Sequence, residues 1–112
     1  MTMTPNEYQR EALRTAGATD PKDLMLNGAM GLCGEAGEVI NLMKKHLFQG
    51  HDLDKAHVVK ELGDVAWYLA VTAYALGYDL ETVLMMNVHK LRMRYPDGFD
   101  AERSQHREGG DV

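Results

Sequence analysis

The chain has 112 residues, 45% of them hydrophobic and 26% charged, the size and balance of one compact domain with a single core. Twelve Lys and Arg against seventeen Asp and Glu give a formal net charge of −5, which leaves no general basic surface for a nucleic-acid backbone. No stretch approaches the ~18–20 apolar residues of a bilayer span, Met1-Thr-Met-Thr-Pro-Asn-Glu7 lacks the layout of a secretory signal, and the single Cys33 can neither close an internal disulfide nor build a Cys-rich zinc site.

A cytoplasmic protein with neither nucleic-acid nor membrane partner is therefore the expectation. Aromatics are 7% of the chain while Met numbers eight, which suits packed helices better than sheets. Thr4-Pro5-Asn6-Glu7 sets a capping Thr before a first-turn Pro, with Glu three residues after the cap, and predicts a helix running to about Ala16. Gly17-Ala-Thr-Asp20-Pro21 breaks the pattern and offers a second cap. Residues 22–49 then carry Leu24, Leu32, Ala36, Val39, Ile40, Met43 and Leu47 at helical spacing up to Gly50. Asp52 or Asp54 can cap a third helix, whose Val58, Leu62, Val65, Ala66, Leu69, Ala73 and Leu76 run until Gly77. Asp79 caps a fourth, with Leu80, Val83, Leu84, Asn87, Leu91 and Tyr95 up to Pro96. No alternating β-branched run competes with this signal. Four helices on short links predict an all-α, antiparallel four-helix bundle over residues 1–104. The polar residues 105–112 read as a frayed tail.

Two acidic pairs stand out. Gly34-Glu35-Ala36-Gly37-Glu38-Val39 lies in the second predicted helix and Lys60-Glu61-Leu62-Gly63-Asp64-Val65 in the third. At ~100° per residue the members of an i, i+3 pair point about 60° apart, so each pair projects from one stripe. If the stripes face each other, four carboxylates converge, a cluster tolerable chiefly around a cation. Hard oxygen donors without thiolates favour Mg²⁺ or Mn²⁺. One such pair alone would be an ordinary solvated helix face. Here the acids stand beside Gly34, Gly37 and Gly63, each costing about 1 kcal/mol in a helix, a cost that close approach of a helix or ligand would offset.

Further residues fall near these stripes. Gly28 and Gly31 would admit a ligand to the backbone, Lys45 can reach a phosphate, and Tyr68 can bond a sugar or phosphate. His57 lies on the Glu61 stripe and reads more simply as a surface histidine near a helix start. Asn87, Lys90 and Arg94 form one stripe of donors for an anion, or a basic helix end complementing the macrodipole. Cys33 reads as a small buried hydrophobe. Trp67 points some 120° from Glu61 and reads as core or subunit contact. Met25, Met30 and Met43, with Val71, Tyr74 and Ala75, put apolar surface on more than one helix face, which predicts self-association.

Glu35-x-x-Glu38 followed by Glu61-x-x-Asp64 resembles the metal-binding signature of the MazG-type nucleotide pyrophosphohydrolases, in the all-α NTP pyrophosphatase superfamily. The flanking segments Gly31 to Val39, Lys60-Glu-Leu-Gly-Asp-Val-Ala-Trp-Tyr-Leu69 and Asn87-Val-His-Lys90-Leu-Arg-Met-Arg-Tyr-Pro96 are similar to that family's successive helices, so the resemblance spans roughly residues 5–100. It implies Mg²⁺-dependent hydrolysis of an NTP or dNTP to the monophosphate and pyrophosphate, in nucleotide-pool housekeeping. Carried over residue by residue, Glu35, Glu38, Glu61 and Asp64 become the metal ligands, one of them orienting the attacking water. Lys45, Lys90 and Arg94 fall to the phosphate chain, and Tyr68 and Asn87 to sugar or phosphate. It also implies a homodimer or a homotetramer built as a dimer of dimers. The alternatives are a specialised phosphoribosyl-ATP-type pyrophosphohydrolase and a non-catalytic helical adaptor. A di-iron bundle wants Glu-x-x-His on two helices, whereas the third residues after Glu35 and Glu61 are Glu38 and Asp64.

Overall fold

The computed structural model describes residues 2–17 and 20–107. Five helices follow in chain order: α1 (Pro5–Leu13), α2 (Pro21–Gln49), α3 (Lys55–Ala75), α4 (Leu80–Arg94) and α5 (Ala101–Gln105). The all-α class is as expected, with no strand among the described residues beyond an isolated Pro96–Gly98 bridge.

Local chemistry accounts for most boundaries. Thr4 Oγ1 accepts from the Glu7 N–H at 3.1 Å while the Glu7 carboxylate accepts from the Thr4 N–H at 3.3 Å, a reciprocal capping box. α1 stops at Leu13, short of Ala16, because the next turn tightens: Arg14, Thr15 and Ala16 donate to carbonyls three residues back, at 3.1–3.2 Å. Asp20 caps α2 through the Lys22 N–H at 2.8 Å, and Gly50 ends it at φ 73°. Of the two candidates for the third cap, Asp54 serves, accepting from the His57 N–H at 3.1 Å. The end of α3 is a Schellman motif, with Gly77 (φ 85°) donating to Tyr74 and Tyr78 to Ala73, both at 2.9 Å.

The chain forms two compact units, divided after Leu80. In the first, α2 and α3 pack along each other, with Gly28 opposite Thr72 and Gly31 opposite Tyr68. Residue numbers rise on one helix as they fall on the other, so the pair is antiparallel. α1 lies against α3, and Ala12, Ala70 and Leu80 form a core with Tyr8, Trp67 and Leu69. Trp67 is thus a packing residue, its Nε1–H donating to Ala12 O at 3.1 Å and Thr15 Oγ1 at 2.9 Å. Buried Gln9 fastens α1 to the chain after α3: Nε2 donates to Ala70 O and Tyr78 O at 3.0 and 3.2 Å, and Oε1 accepts from the Leu80 N–H at 3.1 Å. Every polar atom of that side chain is used, which is why it can be buried.

The second unit holds the rest of α4, a turn at Gly98 (φ 93°) and α5. Asp100 caps α5 through the N–H groups of Glu102 and Arg103, at 2.9 and 3.2 Å. This short helix is absent from the sequence expectation. Of the expected tail, residues 108–112 lie outside the described residues.

Candidate metal centre

The seam between α2 and α3 sets the site. A Cβ on Gly31 would overlap the Tyr68 ring, and one on Gly28 would overlap the Thr72 hydroxyl. These glycines therefore admit side chains of α3, not a ligand, which corrects the reading made from their stripe. Tyr68 is held in the seam, edge-on to Trp67 with ring centroids 5.0 Å apart. One turn beyond Gly31 on α2 comes Glu35, and one turn before Tyr68 on α3 comes Asp64.

Glu35, Glu61 and Asp64 each offer a carboxylate oxygen, and these oxygens lie within 4.8 Å of one another. Glu35 and Glu61 are half-buried and Asp64 is exposed. Glu35 Oε2 is buried without a hydrogen-bond partner, a costly state for an acceptor. The Glu35 carboxyl is pushed up to about 7, first by a hydrogen bond with the Glu61 carboxyl, then by burial and by the charges of Glu61, Asp64 and Glu38. Glu38 is exposed and outside the trio. An orphaned oxygen amid crowded, hard, anionic donors fits a divalent cation with oxygen ligands.

Two neighbours extend the site. His57 Nε2 stands 3.3 Å from Glu61 Oε1. Tyr8, from α1, has its phenol pushed up by burial and then by the charge of Asp64. Sequence reasoning missed Tyr8; its one signal was the i, i+4 spacing to buried Ala12.

The remaining site residues named from sequence stand on α2 and α4. Lys45 is half-buried on α2, ten residues beyond Glu35. Asn87 and Lys90 are exposed and Arg94 is half-buried on α4, in the second unit. Cys33 is exposed rather than buried, since it lies away from the α2 stripe that meets α3. A Cβ on Gly34, Gly37 or Gly63 would meet nothing within 4 Å, so the close approach expected beside the acids occurs instead at Gly28 and Gly31.

A family model and a phage protein match the chain. The sequence model of the MazG nucleotide pyrophosphohydrolase domain matches residues 26–99, a span that includes all four acids. The Gene 37 protein of Mycobacterium phage L5 is 38% identical over 87 residues, covering 74% of this chain and 76% of that protein. No solved structure matches the chain.

Proposed function

The chain belongs to the MazG nucleotide pyrophosphohydrolase family, and from that premise we propose that it hydrolyses a nucleoside triphosphate, ribo- or deoxyribo-, to the monophosphate and pyrophosphate. The observation that carries this reading is the orphaned Glu35 Oε2 inside the carboxylate trio. Glu35, Glu61 and Asp64 are the residues that would hold Mg²⁺, or Mn²⁺ in its place, with Glu38 as the fourth acid. When bound, such an ion neutralises phosphate charge and acidifies a coordinated water.

The chain's own residues divide the remaining work. A carboxylate of the acid set orients water for in-line attack on the α-phosphorus. Lys45, Lys90 and Arg94 offset the charge of the departing pyrophosphate, and Tyr68 and Asn87 bond the sugar or phosphate. No covalent nucleophile is needed. The proposed role is housekeeping of the nucleotide pool by a cytoplasmic enzyme. No helix among the described residues is long and apolar enough to cross a membrane, in keeping with a dissolved nucleotide as substrate. The same reading includes a homodimer or a dimer of dimers, supported by Met30, Leu47 and Phe48, each more than two-thirds exposed at 74%, 68% and 81%.

Phosphorus NMR of the protein with Mg²⁺ and a panel of ribo- and deoxyribonucleoside triphosphates tests the reaction. Monophosphate with pyrophosphate from the wild type, and neither from Glu35→Gln or Glu38→Gln, is the expected result. Orthophosphate with a diphosphate would place the attack at the terminal phosphorus and overturn the proposal. So would unchanged spectra across the panel.

A further inference from the structure

α3 opens on a fixed first turn. Asp54, in extended backbone (φ −86°, ψ 94°), accepts from the His57 N–H at 3.1 Å, which anchors the third residue of the helix. Four residues on comes Glu61, on the same face, and His57 Nε2 reaches to 3.3 Å from its Oε1. The imidazole is 50% exposed and the glutamate side chain 18%. His57 thus stands on the water side of Glu61.

Glu61 offers one of the three carboxylate oxygens that lie within 4.8 Å of one another. A glutamate has three rotatable side-chain bonds, and one crowded by two other carboxylates gains both freedom and hydration by swinging into water. A donor on its open side opposes that swing. His57 is not one of the three residues whose oxygens converge, so any effect it has on the site passes through Glu61.

We propose that His57 is a positioning residue: its Nε2–H donates to Glu61 Oε1 and holds that carboxylate toward Glu35 and Asp64, so that a divalent cation meets oxygens already in place. The inference rests on the reading of the trio as a metal centre. It requires a hydrogen on Nε2, which the Nε2–H tautomer and the imidazolium both carry. Outer hydrogen bonds of this kind align metal-binding carboxylates, and losing one weakens metal affinity about 10–100-fold. Glutamine can present an amide N–H near the place of Nε2, and alanine cannot.

The test is titration of the full chain with Mn²⁺ at neutral pH, free Mn²⁺ being read from its electron paramagnetic resonance signal. His57→Ala is expected to bind Mn²⁺ at least about 10-fold more weakly than wild type, His57→Gln close to wild type, and Glu61→Gln more weakly than either. The half-exposed ring leaves the fold of the metal-free His57 variants unchanged, checked by circular dichroism. Wild-type affinity in His57→Ala would overturn the proposal. Equal weakening in His57→Ala and His57→Gln would also overturn it, by making the ring a packing group or a direct ligand. A folded wild type that binds no Mn²⁺ would overturn the metal reading itself and the role of His57 with it, so the two failures are told apart.

Discussion

At Glu35 one side chain joins a buried oxygen without a partner to a carboxyl held at about 7 by its hydrogen bond with Glu61, by burial and by three neighbouring charges. This value lies above the ordinary 4.5, so between the two the folded chain keeps a proton that the unfolded chain has lost. The proton's contribution to stability is therefore complete below pH about 4.5 and is lost as pH rises through about 7. In calorimetry of the metal-free protein, Tm is expected to fall across that window, and Glu35→Gln to flatten the fall; an equal slope in the variant would contradict the assignment. Mg²⁺ competes with the same proton, so its stabilisation grows as pH rises, reaching about 2.7 kcal/mol at a hundred times its Kd. The acid pairs were legible in the sequence because i, i+3 spacing fixes an angle about the helix axis. Spacing says nothing of the distance between axes, and so it did not separate Glu38, which is exposed, from Glu35, which meets α3.

Gly28, Gly31, Gly34, Gly37 and Gly63 are alike as letters inside helical patterns, yet α3 presses on only the first two. Gly31→Ala is expected to lower stability by about 1–3 kcal/mol, since displacing the Tyr68 ring outweighs the gain in helix propensity. Gly63→Ala, open on that side, is expected to raise it by about 1 kcal/mol. Urea midpoints at constant m-value read both; stabilisation by Gly31→Ala would mean that the seam is looser than the geometry gives. The ends of elements were legible because their causes are local: the Thr4 box, the Asp20 and Asp54 caps, and the left-handed Gly50 and Gly77. α5 was not, since five residues are too few to show a period. The choice of buried stripe was only partly legible. Ile40 and Leu47, placed by periodicity on the core face, are 65% and 68% exposed, while Val71, read as surplus apolar surface, is fully buried. Both helices carry apolar residues on more than one side, and close approach at Gly28 and Gly31 decides which side of α2 turns inward.

For the whole molecule, that choice leaves the other side of α2 apolar and open. Ile40, Leu47 and Phe48 are 65%, 68% and 81% exposed, and with Gly37, Met43 and Lys44 they line a groove of about 470 Å³. Burying one such side chain fully is worth about 1.5–3 kcal/mol, and a standard interface removes about 800 Å² per partner from water. A second copy of the chain is the expected occupant. Each copy carries a net charge of −5, so repulsion opposes the contact and added salt should strengthen association. In light scattering, wild type is expected above 12.5 kDa and Phe48→Asp at 12.5 kDa; a wild type running as a single 12.5 kDa species would remove the interface. The three converging oxygens all belong to α2 and α3 of one chain. The Phe48→Asp monomer is therefore expected to bind Mn²⁺ with wild-type affinity, and a loss of that affinity on dissociation would show that the trio is held in shape by the second copy.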